Sequence, residues 1–341
     1  MSEKVGIKEV AERCGVSKSA VSLVINNRRG VSDQTRDRIR KAIKDLGFRP
    51  NTAARRLGGR DSQGEIGQYG FLAFDAWADS SHSYYGQVLA GASIHAQKLG
   101  ARLSFFQVPE PDTAGKLPPQ VNLDALDGCL ITGRPSLEIL RSISKSSKPT
   151  VMVSPSTPHV VADSVRPENI EGSWLATRHL IELGHSRIAF LGGNVDNVDA
   201  QERYLGYRMA VQEAGIELDE DLVEFQDFSP PGGRTALANV LSRSSGVTAV
   251  FAGGDYLAIG AYDAAHDAGL EIPGDLSIVG FDDIEPVRYL RPALTTIHID
   301  LHAIGAHAFD RVLQLIDKPQ PLVHLRVPGK LVQRDSTRVK E

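Results

Sequence analysis

The residues able to do covalent or metal chemistry in this sequence are not spaced so that they work together. No G-x-x-x-x-G-K-S/T, G-x-S-x-G or H-E-x-x-H pattern occurs. Leu191, Gly192 and Gly193 end an apolar run without completing a dinucleotide fingerprint, so they read as a tight turn. His298, His302 and His307 cluster in sequence, but the first belongs to a strand-like run and His302 opens a helix-like one. They share no ligand-forming face, and neither a metal nor a cofactor is expected. Hydrogen-bonding chemistry is better served. Residues 16–26, VSKSAVSLVIN, set three serines and a lysine among valines three and four apart. Short hydroxyl side chains and one ammonium on a single face suit the edges and phosphates of a nucleic acid.

The flanking sequence supplies the elements that hold this face. Ile7, Val10 and Ala11 have helical spacing, Gly15 can end that helix, and Ser17 can cap a second one through Asn26. Ala20, Val21, Val24 and Ile25 form its buried stripe, leaving Lys18, Ser19, Ser22 and Leu23 outward. Ser32 caps a third helix whose apolar face is Ile39, Ile43 and Leu46. Two helices joined by a short glycine-containing turn and braced by a third are a helix-turn-helix. Small outer residues let such a helix enter a major groove about 12 Å wide.

Charge agrees with this placement. The 341-residue chain has a net charge of −4. Residues 1–60 carry 15 Lys and Arg against 6 Asp and Glu, or +9, and the rest of the chain stands at −13. A basic sixth on an acidic body indicates a polyanion-binding head joined to a module with another task. Cys14 and Cys129 are the only cysteines, and charged residues interrupt the N-terminus. A cytoplasmic protein with no signal peptide and no membrane span is expected. From Ile66 onward, strand-like runs at 70–74, 102–106, 128–132, 150–154, 187–193, 248–254 and 276–282 alternate with amphipathic helical patterns. Parallel sheets wound on both faces follow, in more units than one small sheet can hold.

The segment IKEVAERCGVSKSAVSLVINNRRGVSDQTRDRIRKAIKDLGFRPN, followed by PNTAARRL, resembles the head of the lactose-repressor/galactose-repressor family. ENIEGSWLATRHLIELGHSRIAFLGG, ERYLGYRMA, GDYLAIGAYDAAHDAGLEIPGDLSIVGFDD and PALTTIHID are similar to that family's effector core. The resemblance implies an all-α helix-turn-helix head plus an α/β periplasmic-binding-protein-like core of two Rossmann-like lobes. The head is expected over 1–50 and a hinge and linker over 51–65. The N-terminal lobe would take 66–162 plus 293–322, and the C-terminal lobe 163–292 plus 323–341, with crossings near 162, 292 and 322.

By the same resemblance Lys18, Ser19 and Leu23 read bases, Leu23 offering only apolar contact. Ser17, Ser22, Asn26, Thr35 and Arg36 grip phosphate. In the hinge, Ala53 and Ala54 let two helices pack closely and Leu57 wedges into the minor groove. Arg203 and Asp282 hold the effector, with His82 and Tyr84 beside them. Gly254 stands where many members carry an amide, and Ser154 where some carry an acid.

The implied function is a non-enzymatic, homodimeric repressor of a palindromic operator, controlled by a small molecule. Arg203 and Asp282 favour a carbohydrate inducer. A purine-like corepressor is the alternative, as is a binding module with a vestigial head. No leucine heptad follows LVQRDST, which favours a dimer over a tetramer.

Overall fold

The computed structural model describes residues 7–25, 31–46, 66–74, 84–108, 117–154, 162–317 and 320–340. Among the expected site residues, Asn26, Ala54, Leu57 and His82 lie outside these ranges, as does Ala53, and so do the side chains of Ser19 and Ser22. The chain divides into two compact units, residues 1–64 and 65–341.

In the first unit, α1 (Ile7–Cys14), α2 (Lys18–Ile25) and α3 (Asp33–Asp45) close around Val10, Ala11, Cys14, Val21, Val24, Ile39 and Ala42. Gly15 leaves α1 at φ +59°, the left-handed conformation that a residue without Cβ adopts at least cost. The Ser17 hydroxyl oxygen accepts the Ala20 N–H at 3.1 Å, starting α2 where the sequence expects it. Ser32 does the same for α3, accepting the Thr35 N–H at 3.4 Å.

The second unit holds two six-stranded sheets. The first runs β11-β5-β4-β3-β1-β2, all parallel, from β1 (Gln68–Phe74), β2 (Arg102–Gln107), β3 (Gly128–Gly133), β4 (Thr150–Val153), β5 (Asp163–Pro167) and β11 (His324–Val327). The second runs β12-β10-β9-β8-β6-β7, from β6 (Ile188–Gly192), β7 (Val223–Phe225), β8 (Ala249–Ala252), β9 (Ser277–Asp282), β10 (Thr295–Ile299) and an antiparallel β12 (Gly329–Val332). The connecting helices are α4 (Tyr84–Lys98), α5 (Leu137–Lys145), α6 (Asn169–Glu182), α7 (Val198–Glu213), α8 (Pro230–Arg243), α9 (Asp255–Asp267) and α10 (Leu301–Asp317). Strand order reverses between β1 and β3 in one sheet and between β6 and β8 in the other. At such points adjacent loops leave in opposite directions and open a crevice at the strands' carboxyl ends.

The chain changes sheet after residues 167, 299 and 327, each a few residues beyond the expected 162, 292 and 322. The first of these shifts traces to β5. Its sequence, DSVRP, is fully buried yet mostly polar, so it lacks the apolar signature of a central strand. Asp163 Oδ1 accepts from Arg311 Nε at 2.6 Å and from the Val323 N–H at 3.0 Å, and Ser164 meets His324 Nδ1 at 2.8 Å. These bonds to α10 and β11 satisfy polar groups that burial would otherwise penalise.

Two buried histidines tie the C-terminal segment to the second sheet. His185 Nε2 donates to the Arg338 carbonyl at 3.1 Å, and Nδ1 then accepts from the Thr248 hydroxyl at 3.0 Å. His179 Nε2 meets the Thr337 hydroxyl at 3.1 Å. Burial lowers the pKa of both from the ordinary 6.5. The unfolded chain therefore takes up these protons first as pH falls. Their contribution to stability is complete above 6.5 and is lost as pH drops through the lower folded values. Between pH 7 and pH 5 these histidines lower the melting temperature, against the opposite contribution of Asp282, so His185→Gln should lose less stability over that interval than the wild type. An unchanged slope in calorimetric scans of the variant would show that His185 is not responsible.

Candidate functional site

The cleft is built where both sheets reverse order. α7 leaves β6 and carries Arg203, whose side chain is 4% exposed and whose Nε, Nη1 and Nη2 each donate to the protein. Nε donates to Asn169 Oδ1 at 2.9 Å, Nη1 to the Gly253 carbonyl at 2.6 Å, and Nη2 to Asp282 Oδ1 at 3.1 Å. Its Cζ stands 3.9 Å over the Phe281 ring and 5.7 Å from Phe228. Arg203 thus joins the ends of β8 and β9 to the start of α6.

Asp282 ends β9 with φ at +108°, and Asp283 follows at +60°. Such backbone costs on the order of 1–3 kcal/mol per residue and persists only when surroundings hold it. Arg203 holds the first aspartate. Arg334 Nη2 at 2.5 Å, His298 Nδ1 at 3.0 Å and Arg288 Nη2 at 3.2 Å hold the second. His298 is therefore a partner of Asp283. Among the described residues, no three His, Cys, Asp or Glu side chains gather as metal ligands. Burial raises the Asp282 carboxyl to about 6, with the Arg203 charge opposing and Asp199 adding to the rise.

The first lobe contributes Tyr84, from α4 after β1. Its hydroxyl meets the Ser154 hydroxyl at 2.6 Å, with Ser154 turned to φ +45° after β4. Burial raises the Tyr84 pKa well above 10, and the carboxylates of Asp199 and Asp282 raise it further. That influence puts Tyr84 within electrostatic reach of the second lobe's acids. Arg203 and Asp282 are thus in direct contact, and Tyr84 bears on both electrostatically from the first lobe.

Four further residues belong to this site and carry no obvious sequence mark. Asn169 is fully buried and donates Nδ2 to Asp199 Oδ1 at 2.8 Å. Asp199 lies one turn before Arg203 on α7. Phe281 backs the guanidinium from β9. Phe228 explains the glycine at 254: a Cβ there would come within 3.1 Å of the Phe228 ring and 3.8 Å of Arg203 Nη1. The room beside Gly254, where many members carry an amide, is thus bounded by an aromatic face. Asp255 is turned away from the cleft, its Oδ1 accepting from Thr296 Oγ1 at 2.6 Å and its Oδ2 from the Ile284 N–H at 2.8 Å.

On the head, Lys18 opens α2 and is exposed, as is Ser17, while Leu23 is half-buried. The Thr35 hydroxyl meets Ser32 Oγ at 2.9 Å, and Arg36 follows in the first turn of α3.

Two family models match the chain: "Bacterial regulatory proteins, lacI family" over residues 6–51, and "Periplasmic binding protein-like domain" over residues 177–337. A curated relative, the HTH-type transcriptional repressor PurR of Edwardsiella ictaluri (strain 93-146), is 35% identical over 344 residues, spanning 97% of this chain and 96% of that protein. The chain belongs to the lacI family of transcriptional repressors. A second PurR, from Klebsiella pneumoniae (strain 342), is 31% identical over 335 residues, again covering 97% and 96%. A solved transcriptional regulator CelR–cellobiose complex matches with TM-score 0.72 at 27% identity, covering 97% of this chain and 99% of that one. The lac repressor dimer bound to operator and the anti-inducer ONPF matches with TM-score 0.67 at 26% identity, covering 98% and 100%. The lacI-family head and periplasmic-binding-protein-like core are thus the architecture of this chain. No helix among its described residues is long and apolar enough to cross a membrane.

Proposed function

We propose that this lacI-family repressor binds a palindromic operator as a homodimer and releases it when a carbohydrate enters the core cleft. The observation that carries the effector reading is the acceptor-rich site around Arg203. Asp282 and Asp199 suit a ligand that presents several hydroxyl donors, while the Phe228 and Tyr84 rings suit the apolar face of a sugar. With Arg203 already bonded to three protein groups, an anionic ligand meets two carboxylates and little unspent positive charge. A solved relative described as a cellobiose complex supports this reading. The core works by binding, without catalysis. Exposed Ile94, Leu99 and Phe105, on and beside α4 and β2, offer apolar surface for a second copy.

A purine-like corepressor is the second reading. Phe228 presents a flat aromatic face beside Arg203, which suits ring stacking, and the relatives named PurR favour it. Thermal shift of the intact protein against sugars and purines separates the two. A ligand at about 100 times its Kd adds about 2.7 kcal/mol of stability. A sugar shift that vanishes in Asp282→Asn supports the inducer. A purine shift accompanied by tighter operator binding replaces it.

In the head, the reading assigns base contact to Lys18, Ser19 and Leu23, and phosphate contact to Ser17, Ser22, Asn26, Thr35 and Arg36. The hinge assignment keeps Ala54 and Leu57 in the minor groove. Lys18→Ala should relax preference at one base pair per half-site by about 1–3 kcal/mol. Competition binding with single-base operator variants measures this, and an unaltered preference removes Lys18 from the reading set.

A further inference from the structure

The cleft accounts for Arg203 but leaves Glu202, its neighbour on α7, without a role. The two side chains serve different sides of the helix. Arg203 reaches the ends of β8 and β9, whereas Glu202 reaches the strands by which the chain crosses between lobes. Arg166 Nη1 donates to Glu202 Oε1 at 2.9 Å. Arg326 donates from Nη1 to Oε2 and from Nη2 to Oε1, both at 2.7 Å. Arg166 and Arg326 are register partners on β5 and β11, in the first sheet, while α7 belongs to the second lobe. One carboxylate of the second lobe is therefore gripped by two guanidiniums of the first, beside two of the three crossings.

The same carboxylate is bonded to the cleft. Asn169 Nδ2 donates to Glu202 Oε2 at 3.0 Å, and Asn169 Oδ1 accepts from Arg203 Nε at 2.9 Å. The Glu202 side chain is 16% exposed, that of Arg166 9% and that of Arg326, which makes the fork, 33%. A two-pronged arginine–carboxylate contact on a largely buried carboxylate fixes direction as well as distance, unlike a single solvated surface pair. Rotation of one lobe about the crossings moves α7 against β5 and β11. Small displacements there break short charge-assisted bonds before they disturb the sheets.

We propose that Glu202 is a positioning residue that latches the second lobe to crossing strands β5 and β11 and, through Asn169, ties the Arg203 fork to the lobe angle. A ligand that pulls on Arg203 then shifts the latch, and the lobe angle in turn sets how Arg203 meets the ligand. The proposal rests on the cleft reading for the role of Arg203, but its test needs no effector, so either can fail without the other.

The test uses the full chain with spin labels at Lys145→Cys in the first lobe and Glu217→Cys in the second, both exposed positions, since Cys14 and Cys129 are buried. Exchange with excess unlabelled protein confines the signal to pairs within one chain. Pulsed dipolar spectroscopy then compares wild type with Glu202→Gln. The latch predicts a distance distribution that broadens or shifts in the variant by more than the label's own rotamer spread. A distribution that superimposes on wild type overturns the proposal, even where the melting temperature falls, because a merely structural carboxylate changes stability alone. Arg326→Lys keeps the charge and loses the fork, and should give an intermediate change. It decides by the same criterion if Glu202→Gln does not fold.

Discussion

Arg203→Ala should lower the stability of the core by about 3–5 kcal/mol, the usual cost of removing one member of a buried ion pair. Three hydrogen bonds disappear with the side chain, and Asp282 is left buried beside Asp199. At roughly 2–4 °C per kcal/mol for a unit of this order, the melting temperature should drop by about 6–20 °C. The loss should depend on pH in a defined direction. In the wild type, Asp282 is raised from 3.8 to about 6, so its contribution to stability is present below 3.8 and is lost as pH rises through about 6. Removing Arg203 takes away the charge that opposes this rise. The deficit of the variant should therefore shrink as pH falls below 6 and be largest at neutral pH. Asp282→Asn added to Arg203→Ala should recover part of the loss, because the stranded charge is gone. A deficit that is independent of pH, with strictly additive mutations, would mean that the pair is not coupled as described.

The second large effect concerns the head. With +9 on residues 1–60 and, in the proposed homodimer, two heads per operator, roughly 6 to 10 phosphates should be neutralised. Operator affinity should then fall by about a thousandfold or more between 50 and 200 mM salt, because each neutralised phosphate releases condensed counterions. The acidic core should bind no duplex on its own. Fluorescence anisotropy titrations at several salt concentrations give the slope directly. A slope near zero would contradict a basic head seated on the phosphate backbone.

Much of this was legible in the sequence where local chemistry decides structure. Gly15, Ser17 and Ser32 mark helix ends because a left-handed residue and side-chain caps act within a few residues of themselves. β1 to β4, β6, β8 and β9 stood out by their apolar runs and His298 marked β10, whereas the short β7, β11 and β12 offered no such run. Nor did β5, since its polar residues are satisfied by partners 148 to 160 positions away. The cleft divides in the same way. Arg203, Asp282 and Tyr84 all came from family resemblance. Asn169, Asp199, Phe228 and Phe281 gave no signal, because each acts through contacts that only the folded chain brings together. Gly254 shows the point most clearly. The sequence shows only that an amide is missing there, and the Phe228 ring that stands against the position comes from 26 residues away.

The central claim is that this chain reads DNA sequence as a symmetric pair of heads. Its most direct test is selection of a random duplex library on the intact protein at moderate salt, followed by sequencing of the bound pool. The account predicts one enriched palindrome with two equivalent half-sites about one helical turn apart. A bound pool indistinguishable from the input, or enriched for a single unpaired half-site, would contradict it.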